Sequence, residues 1–344
     1  MSEFFCPSCG EKLTQNKEFY ICLKCGGKWP IKDGIALFCE NRYWGEISQE
    51  EMNRVLATIK EKGFENGLEL ARKNFEVFYR FGYDPSRADW RFYLPLDKNW
   101  KVLDAGCGLG GMTFSLAKIV NEVVAFDSSW ERAKFVELKS INDDLKNINV
   151  FVGDFDNLPL KEKEFDLIIF NGFLEWAGIP NAPENPREVQ KKVLEKCLKL
   201  LKPGGYLYIG IENRIALNYF TTGRDHSGIR FTSLMPRFLA NIYTKLRLKK
   251  PYRTYTYSKQ GYIKLLKESG FEDLKFILPA TGYNFPKYII PYDNIYCLQY
   301  AIRNLISPNS WRKKLVKIFS NSVFIMKIYR QLFFSFGIIC KKHD

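Results

Sequence analysis

An apolar run that ends in an aspartate and passes into alternating glycines is the feature that most constrains the fold of this chain. The run comprises Val102, Leu103 and Asp104, and Gly106, Gly108 and Gly110 follow it after Ala105. Glycines allow a tight turn in which the backbone approaches a ligand, and the helix start beyond them offers unpaired amides. A dinucleotide-binding loop spaces its glycines G-x-G-x-x-G, whereas this chain has D-x-G-x-G-x-G. The pattern predicts a strand–turn–helix unit of an α/β fold whose ligand is not a pyrophosphate.

Four further segments have the pattern of buried strands and follow in order. The second predicted strand ends at Asp127, about 20 residues after the glycines, where an α/β nucleotide fold places an acid for ribose hydroxyls. The third ends at Asp154, beside Phe155, and the fourth ends at Asn171 and Gly172. A Pro-Gly-Gly turn leads into the fifth. The order and spacing predict a parallel sheet with its ligand at the carboxyl ends of the strands.

This set of motifs resembles the class I S-adenosylmethionine (SAM)-dependent methyltransferases over residues 99 to about 280. The resemblance implies a Rossmann-like α/β fold, with a mostly parallel seven-stranded sheet and helices on both faces. It also implies SAM as cofactor, with an acid for the ribose, another for the adenine amino group and an apolar side chain over the ring. The residues that we expect to bind SAM are Asp104, Gly106, Gly108, Gly110, Asp127, Ser128, Asp154, Phe155, Asn171 and Gly172.

Two C-x-x-C pairs near the amino terminus have the spacing of zinc ligands. Cys6 and Cys9 form the first pair, Cys22 and Cys25 form the second, and a glycine follows each. Four thiolates close a tetrahedral site, so the predicted Zn²⁺ is structural. A segment of roughly 40 residues rarely holds a core without such a metal. The sequence pattern around these pairs resembles the small zinc-ribbon modules found with methyltransferases.

The chain is long enough for several domains. We predict a zinc ribbon over 1–42, a helical connector over 43–98 and a methyltransferase core over 99–300. The core includes a substrate-side insertion at 213–258, and a basic amphipathic tail covers 301–344. Met52, Val55, Leu56 and Ile59 recur at helical spacing, which indicates a packing role for the connector. We also expect aromatic residues of segment 43–45 to border the cofactor site.

Positive charge is concentrated in the last two fifths of the chain. The net charge is +14, and residues 201–344 hold 24 basic and 7 acidic side chains. The excess begins directly after the fifth predicted strand, where α/β folds build their substrate loops. An electropositive surface there favours anionic partners.

The same region holds the candidate catalytic residues. His226 lies next to Asp225, and a histidine beside a carboxylate can act as a general base. Glu212 ends the fifth strand. The alternative is a structural histidine, because methyl transfer can proceed by alignment alone. We predict His226, Asp225 and Glu212 as the catalytic group.

Segments 171–176, 211–214, 225–228 and 253–258 resemble those of bacterial and archaeal methyltransferases associated with surface-polysaccharide and glycan assembly. This resemblance implies methyl transfer to an oxygen of a sugar, glycan or lipid-linked intermediate. It implies an anionic acceptor whose charged groups meet four arginines, Arg214, Arg224, Arg230 and Arg253.

Two alternatives are open. A zinc ribbon ahead of a basic class I core also resembles RNA (rRNA or tRNA) base methyltransferases whose ribbon binds RNA. Against that function, residues 1–40 are balanced in charge, and Asn171 is followed by Gly172-Phe173 rather than by the Pro-Pro of base-amine methyltransferases. The second alternative is a non-catalytic SAM-binding protein.

The chain begins with polar residues and shows no signal peptide, which predicts a cytoplasmic protein. No stretch of about 18 apolar residues predicts a transmembrane helix. Lysines alternate with apolar runs in 301–344, so the tail is predicted either to lie on the inner face of the membrane or to pack on the core. The sequence leaves the oligomeric state open.

Overall fold

A computed structural model describes residues 3–179, 184–221, 223–305 and 311–343, without the side chains of residues 312 and 313. The chain forms two compact units. The first unit comprises Met1–Ile169 and Lys199–Gly205, and the second comprises Phe170–Leu198 and Tyr206–Asp344.

The first unit begins with a small antiparallel sheet. Its strands, in the order β1-β2-β3-β4, are Thr14–Gln15, Phe19–Ile21, Lys28–Lys32 and Ile35–Ala36. Phe4 and Phe38 pack their rings on Phe151, with centroids 5.3 and 5.7 Å away. Leu37 pairs with Val152 in a parallel bridge. The small sheet is therefore anchored to the strand that contains Phe151 and Val152, which is β7 (Ile148–Val152) of the large sheet.

Three helices follow, α1 (Gln49–Lys62), α2 (Phe64–Asn74) and α3 (Glu76–Tyr83), with a 3₁₀ segment at Pro85–Tyr93. Ser48 and Glu51 form a capping box, which satisfies amides at the start of α1. The four apolar positions that indicated a packing face in α1 are all buried, and they share a cluster with Phe64, Phe78 and Phe135. The connector is thus held to the first unit by its apolar stripe.

The large sheet is mixed and has eight strands in the order β11-β10-β12-β9-β8-β5-β6-β7. The strands are β5 (Lys101–Ala105), β6 (Glu122–Asp127), β7 (Ile148–Val152), β8 (Phe165–Asn171), β9 (Leu201–Glu212), β10 (Glu272–Ala280), β11 (Tyr288–Pro291) and β12 (Ser335–Lys341). Strands β5, β6 and β7 are parallel, whereas β12 is antiparallel to both β9 and β10. The Rossmann-like α/β class I fold is confirmed, with eight strands rather than the predicted seven.

The remaining helices are α4 (Gly111–Ala117), α5 (Trp130–Asn142), α6 (Pro186–Leu200), α7 (Arg237–Leu248), α8 (Lys259–Glu268), α9 (Ile295–Tyr300), α10 (Trp311–Ile318) and α11 (Val323–Gln331). Short 3₁₀ turns lie at Leu217–Phe220 and Phe319–Asn321, and a π-helical turn at Ala301–Leu305. Among the described residues, no helix is both long and apolar enough to cross a bilayer.

The predicted tail is only partly an amphipathic helical segment. Strand β12 pairs with β9 and β10, and Phe336, Ile338 and Cys340 are fully buried. Of the two alternatives for the tail, packing on the core holds for residues 335–341, because they form a strand of the large sheet and residues 335–340 are all buried. Residues 306–310 of the tail lie outside the described residues.

Candidate active site

The glycine turn after β5 has the backbone that its sequence predicts. Gly106, Gly108 and Gly110 have φ values of 70°, 57° and 77°, in the left-handed region that favours glycine. A Cβ on Gly110 would lie 2.6 Å from the ring of Phe114. The carbonyl of Phe126 accepts hydrogen bonds from the amides of Gly106 and Cys107, each at 2.9 Å. The turn is therefore fixed against the end of β6.

Asp127 connects the ends of β5 and β6. One carboxylate oxygen accepts from the amide of Gly108 at 3.0 Å, and the other accepts from the amide of Ser129 at 2.9 Å. The guanidinium of Arg132 lies 3.8 Å from the same carboxylate. The neighbouring Ser128 exchanges hydrogen bonds with the backbone of Arg42. The acid predicted for ribose thus stands beside the glycine turn.

Asp104 is almost fully buried, and its carboxylate accepts from the Thr113 hydroxyl at 2.6 Å. Burial raises the pKa of this carboxyl group to about 6. The side chain ties the end of β5 to helix α4. This contact gives Asp104 a role in shaping the turn.

Asp154 and Phe155 follow β7. Asp154 accepts from the amides of Asp156 and Asn157 and lies 3.4 Å from the guanidinium of Arg42. Phe155 is buried with its ring 5.5 Å from that of Phe126. Both predicted adenine-side residues belong to the first unit, as do Asp127 and the glycine turn.

The segment after the small sheet reaches these residues. Glu46 forms an ion pair with Arg132 at 2.7 Å, and the same guanidinium lies 5.3 Å from the ring of Trp44. It also lies 3.4 Å from the point where a Cβ on Gly108 would stand. The contacts agree with the expectation that segment 43–45 borders the cofactor site. Sequence reasoning missed Arg42 and Arg132, which have no local motif.

The four predicted zinc ligands come together. All four sulfurs of Cys6, Cys9, Cys22 and Cys25 lie within 4.8 Å of one another. Two Sγ–Sγ distances are 3.5 and 3.4 Å. Tetrahedral thiolates about 2.3 Å from zinc lie roughly 3.8 Å apart, so the group fits that ion. In each pair, the amide of the glycine that follows, Gly10 or Gly26, donates a hydrogen bond to the carbonyl of the first cysteine.

A second group of titratable side chains lies in the second unit. His226 places its Nε2 atom 3.1 Å from a carboxylate oxygen of Glu212 and 3.7 Å from one of Glu175. The Tyr283 hydroxyl lies 3.0 Å from Glu212 and 3.4 Å from Glu175. Trp176 packs on the imidazole with ring centroids 4.6 Å apart. Glu212 ends β9, Glu175 follows β8, and the histidine lies in the loop after β9.

The acid beside His226 in sequence is not its partner. Asp225 instead accepts hydrogen bonds from the amide and hydroxyl of Ser227 and from the Tyr252 hydroxyl. The predicted pairing of Asp225 with His226 is therefore corrected to Glu212 and Glu175. Glu175 was missed, although it lies in the segment 171–176 that carried the glycan-methyltransferase resemblance.

His226 and Glu175 of this group both have raised pKa values. Burial opposes the charge on His226, but the Glu212 hydrogen bond and the two carboxylates outweigh it and raise the pKa of the imidazole to about 9. Burial and the charge of Glu212 raise the pKa of Glu175 to about 8. Perturbed acids that share one site are a mark of functional positions.

Asn171 and Gly172 lie in the second unit beside this group. The Asn171 amide donates to Asn284 at 3.3 Å, and the Gly172 amide donates to the carbonyl of Gly210 at 2.8 Å. A Cβ on Gly172 would stand 2.9 Å from the Tyr283 hydroxyl. Their predicted cofactor role stays a prediction.

The four arginines expected to meet anionic groups divide into two classes. Arg214 donates to the carbonyls of Ser233 and Met235, and Arg253 donates to the carbonyls of Gly178 and Glu184. These two guanidinium groups brace loops. Arg224 and Arg230 pair through their backbones and have exposed side chains, so they are the ones available to an anion.

Comparison with known proteins places the similarity in the middle of the chain. Residues 96–233 match a family described as a methyltransferase domain. An uncharacterized protein of Methanocaldococcus jannaschii is 30% identical over 172 residues, which cover 49% of this chain and 65% of that protein. The ubiquinone biosynthesis O-methyltransferase of Xanthomonas euvesicatoria is 30% identical over 115 residues, 33% of this chain and 44% of that enzyme.

Among solved structures, a complex between the Haloferax volcanii Trm112 methyltransferase activator and a methyltransferase superposes with a TM-score of 0.45. The two sequences are 16% identical, and the superposition covers 80% of this chain and 94% of the other. The chain spans less than two thirds of the length of the curated relatives given above.

Proposed function

We propose that this chain, whose residues 96–233 belong to the methyltransferase domain family, transfers a methyl group from SAM to an oxygen of a hydroxyl acceptor. The observation that carries the oxygen acceptor is the buried group of Glu175, Glu212 and His226. A hydroxyl must lose a proton when it is methylated, and this group offers carboxylates that can receive it.

SAM would be held by the residues around the glycine turn and by the acids after β6 and β7. The turn fits such a ligand, because its three positive-φ glycines place no side chain over the loop and the Asp127 carboxylate lies at its edge. Bound there, SAM supplies a methyl group on a positively charged sulfur that leaves as a neutral thioether. The four-cysteine group would hold a structural Zn²⁺, since no coordination position is left for a substrate.

In the second unit, Glu212 is the residue that we propose as proton acceptor. Its carboxylate accepts hydrogen bonds from His226 and Tyr283, which fix its position. The acceptor oxygen forms a bond to the methyl carbon as the carbon–sulfur bond breaks, and the hydroxyl proton passes to the carboxylate. General-base assistance of this kind contributes about 10²- to 10⁴-fold in rate.

The acceptor that we propose is an anionic sugar, glycan or lipid-linked intermediate. Support comes from the exposed Arg224 and Arg230, close in sequence to His226, and from the excess of basic residues after residue 200. Peripheral contact of the tail with the inner face of the membrane would suit a lipid-linked acceptor. Helices α10 and α11 support it with the exposed side chains of Trp311, Ile318 and Phe324.

The test is release of S-adenosylhomocysteine when the full chain receives SAM and a panel of acceptors. The panel contains a nucleotide sugar, a polyprenyl-pyrophosphate-linked sugar, a quinol and a structured RNA. Turnover on a sugar acceptor supports the proposal. Methylation of RNA alone, or SAM binding without turnover on any acceptor, would overturn it in favour of the alternative functions.

A further inference from the structure

We infer that Glu175, Glu212 and His226 form a binding site for a divalent cation, apart from the four-cysteine group. Each residue offers one ligand atom, and the three atoms lie within 4.8 Å of one another. Glu175 comes from the loop after β8, Glu212 is the last residue of β9 and His226 lies in the loop after β9, yet their side chains converge within the second unit.

The distances suit a small cation. Nε2 of His226 lies 3.1 Å from Oε2 of Glu212 and 3.7 Å from Oε1 of Glu175. Ligand atoms about 2.0–2.2 Å from a first-row divalent metal are separated by roughly 3–4 Å when they occupy adjacent coordination positions. The three atoms can therefore contact one ion without rearrangement of the backbone, and the ion would displace the Nε2 proton and replace the His226–Glu212 hydrogen bond.

A second observation is the state of the Glu175 carboxylate. Glu175 is completely buried, and its Oε2 atom has no hydrogen-bond partner among the described residues. Its other oxygen has only long contacts, 3.4 Å to Tyr283 and 3.7 Å to His226. Buried polar atoms are nearly always satisfied, so a fully buried carboxylate with one orphan oxygen, and with its other oxygen 3.7 Å from the His226 imidazole, indicates a missing partner. A cation would supply that partner.

The surroundings orient the ligands. Tyr283 contacts Glu212, and the Tyr262 hydroxyl donates to the Glu212 backbone carbonyl at 2.9 Å. Trp176 packs on the His226 ring and restricts its rotation. Contacts of this kind fix ligand positions in metal sites. Two carboxylates and one imidazole suit Mn²⁺ and its neighbours better than a thiolate-preferring ion.

Three protein ligands leave coordination positions open, in contrast to the four thiolates of the ribbon. This consequence rests on the proposed function: the acceptor hydroxyl would take one open position, and the cation would lower the pKa of that hydroxyl. The cation site itself is independent of which acceptor is methylated.

The experiment titrates the full chain, purified with zinc and dialysed against chelator-free buffer, with Mn²⁺ alone. Calorimetry and the loss of the free Mn²⁺ electron paramagnetic resonance signal report binding. We expect one Mn²⁺ site, weakened at least about tenfold by Glu175→Gln and by His226→Gln. Glu272→Gln is the matched control, because Glu272 and His343 form an exposed pair at 3.3 Å.

Circular dichroism and SAM affinity establish that each variant is folded. Absence of Mn²⁺ binding to the wild-type chain, or binding that Glu175→Gln leaves unchanged, would overturn the site. Mn²⁺ binding without methyl transfer would retain the site and remove the proposed function. Methyl transfer at full rate by a wild-type chain that does not bind Mn²⁺ when titrated with it would retain the function and remove the site.

A different observation concerns helix α7, and from it we infer that this helix binds an anionic lipid surface. Its exposed side is apolar: Phe238 is 66% exposed, Ile242 53% and Leu246 78%. These residues recur at intervals of four and form one stripe. The buried positions are the small residues Ala240 and Thr244. The helix is thus amphipathic with its apolar stripe turned to solvent.

The basic side chains around the apolar stripe of α7 indicate that its binding partner is an anionic surface. Residues 237–253 contain six basic side chains and no acid. Lys245 and Arg247 lie on the helix, and Lys249 and Lys250 follow it directly. An apolar stripe bordered by lysine and arginine is the pattern of helices that lie in the headgroup region of anionic bilayers. A protein partner would need an acidic rim, whereas an anionic bilayer supplies both the apolar layer and the charge.

The test is co-sedimentation of the full chain with vesicles of phosphatidylcholine, with and without phosphatidylserine. We expect salt-sensitive binding that requires phosphatidylserine and falls at least about tenfold in the double variant Phe238→Ser, Leu246→Ser. The matched control, Phe92→Ser in the 3₁₀ segment Pro85–Tyr93, changes an equally exposed ring (75%) that belongs to neither α7 nor the tail. Unchanged vesicle binding by the α7 variant would overturn this inference, as would a concentration-dependent dimer that the variant abolishes.

Discussion

Arg42 places its guanidinium 3.4 Å from the carboxylate of Asp154, so the segment that leaves the small N-terminal sheet contacts a predicted SAM-binding residue. The backbone amide of Arg42 also donates to the carbonyl of Ser128 at 2.9 Å. The four-cysteine module is therefore connected directly to the loops after β6 and β7.

Replacing this arginine tests the connection. We expect Arg42→Ala to weaken SAM binding about two- to fivefold, because the ion pair is partly exposed and such pairs contribute little. Isothermal titration with SAM measures the change. Arg54→Ala, which alters an exposed arginine of α1, is the control and should bind SAM as the wild type does. Equal affinities for both variants would show that the contact is incidental.

Removal of zinc from the four-cysteine group should affect SAM binding through the same contact between Arg42 and Asp154. We expect a single Zn²⁺ in the four-cysteine group, lost in Cys6→Ser and in Cys22→Ser but retained in Cys297→Ser. Because the module has few buried residues of its own, loss of zinc should unfold it and reduce SAM affinity. Metal analysis and SAM titration of the same samples check this. Full SAM affinity in a zinc-free chain would contradict the proposed coupling.

Stability should depend on the protonation of Asp104. Its folded-state pKa of about 6 lies above the ordinary value of 3.8, so the folded state binds the proton more tightly than the unfolded state does. This contribution is therefore present below about pH 4 and is lost as the pH rises towards 6, by up to about 3 kcal/mol. Urea unfolding from pH 4 to 7 should show this loss in wild type and in the exposed control Asp144→Asn. Asp104→Asn should reduce the loss by up to about 3 kcal/mol and leave the part that comes from Glu175, whose pKa is also raised, to about 8.

The proposed proton acceptor makes a kinetic prediction. Glu212→Gln should lower kcat by about 10²- to 10⁴-fold and leave the Kd for SAM unchanged, because among the described residues the hydrogen bonds of its carboxylate go to His226 and Tyr283 and not to the glycine turn. Glu272→Gln is the control. Single-turnover rates with an unmethylated acceptor that the wild-type chain turns over measure the step. A rate within a factor of about two of wild type would remove Glu212 from the mechanism.

The sequence predicted the features that a few consecutive residues determine. It missed the contacts between side chains that are far apart in the chain. The glycine turn, the acids after β6 and β7 and the cysteine pairs each carry their information within a few residues. Adjacency in the sequence predicted Asp225 as the partner of His226. The two side chains instead have different partners, because neighbouring side chains in a loop point in different directions. Glu175 reaches His226 from a loop about 50 residues earlier in the sequence, which no spacing rule connects.

Strand β12 was not expected within the tail, although packing of the tail on the core was, and it gives the last prediction. Ile338 is fully buried where β12 pairs with β9 and β10, whereas Ile328 on α11 is 47% exposed. Ile338→Ala should lower the free energy of unfolding by about 2–5 kcal/mol, because a cavity replaces packed methyl groups. Ile328→Ala should change it by no more than about 0.5 kcal/mol. Urea denaturation measures both, and a peripheral tail would instead give two equally small values.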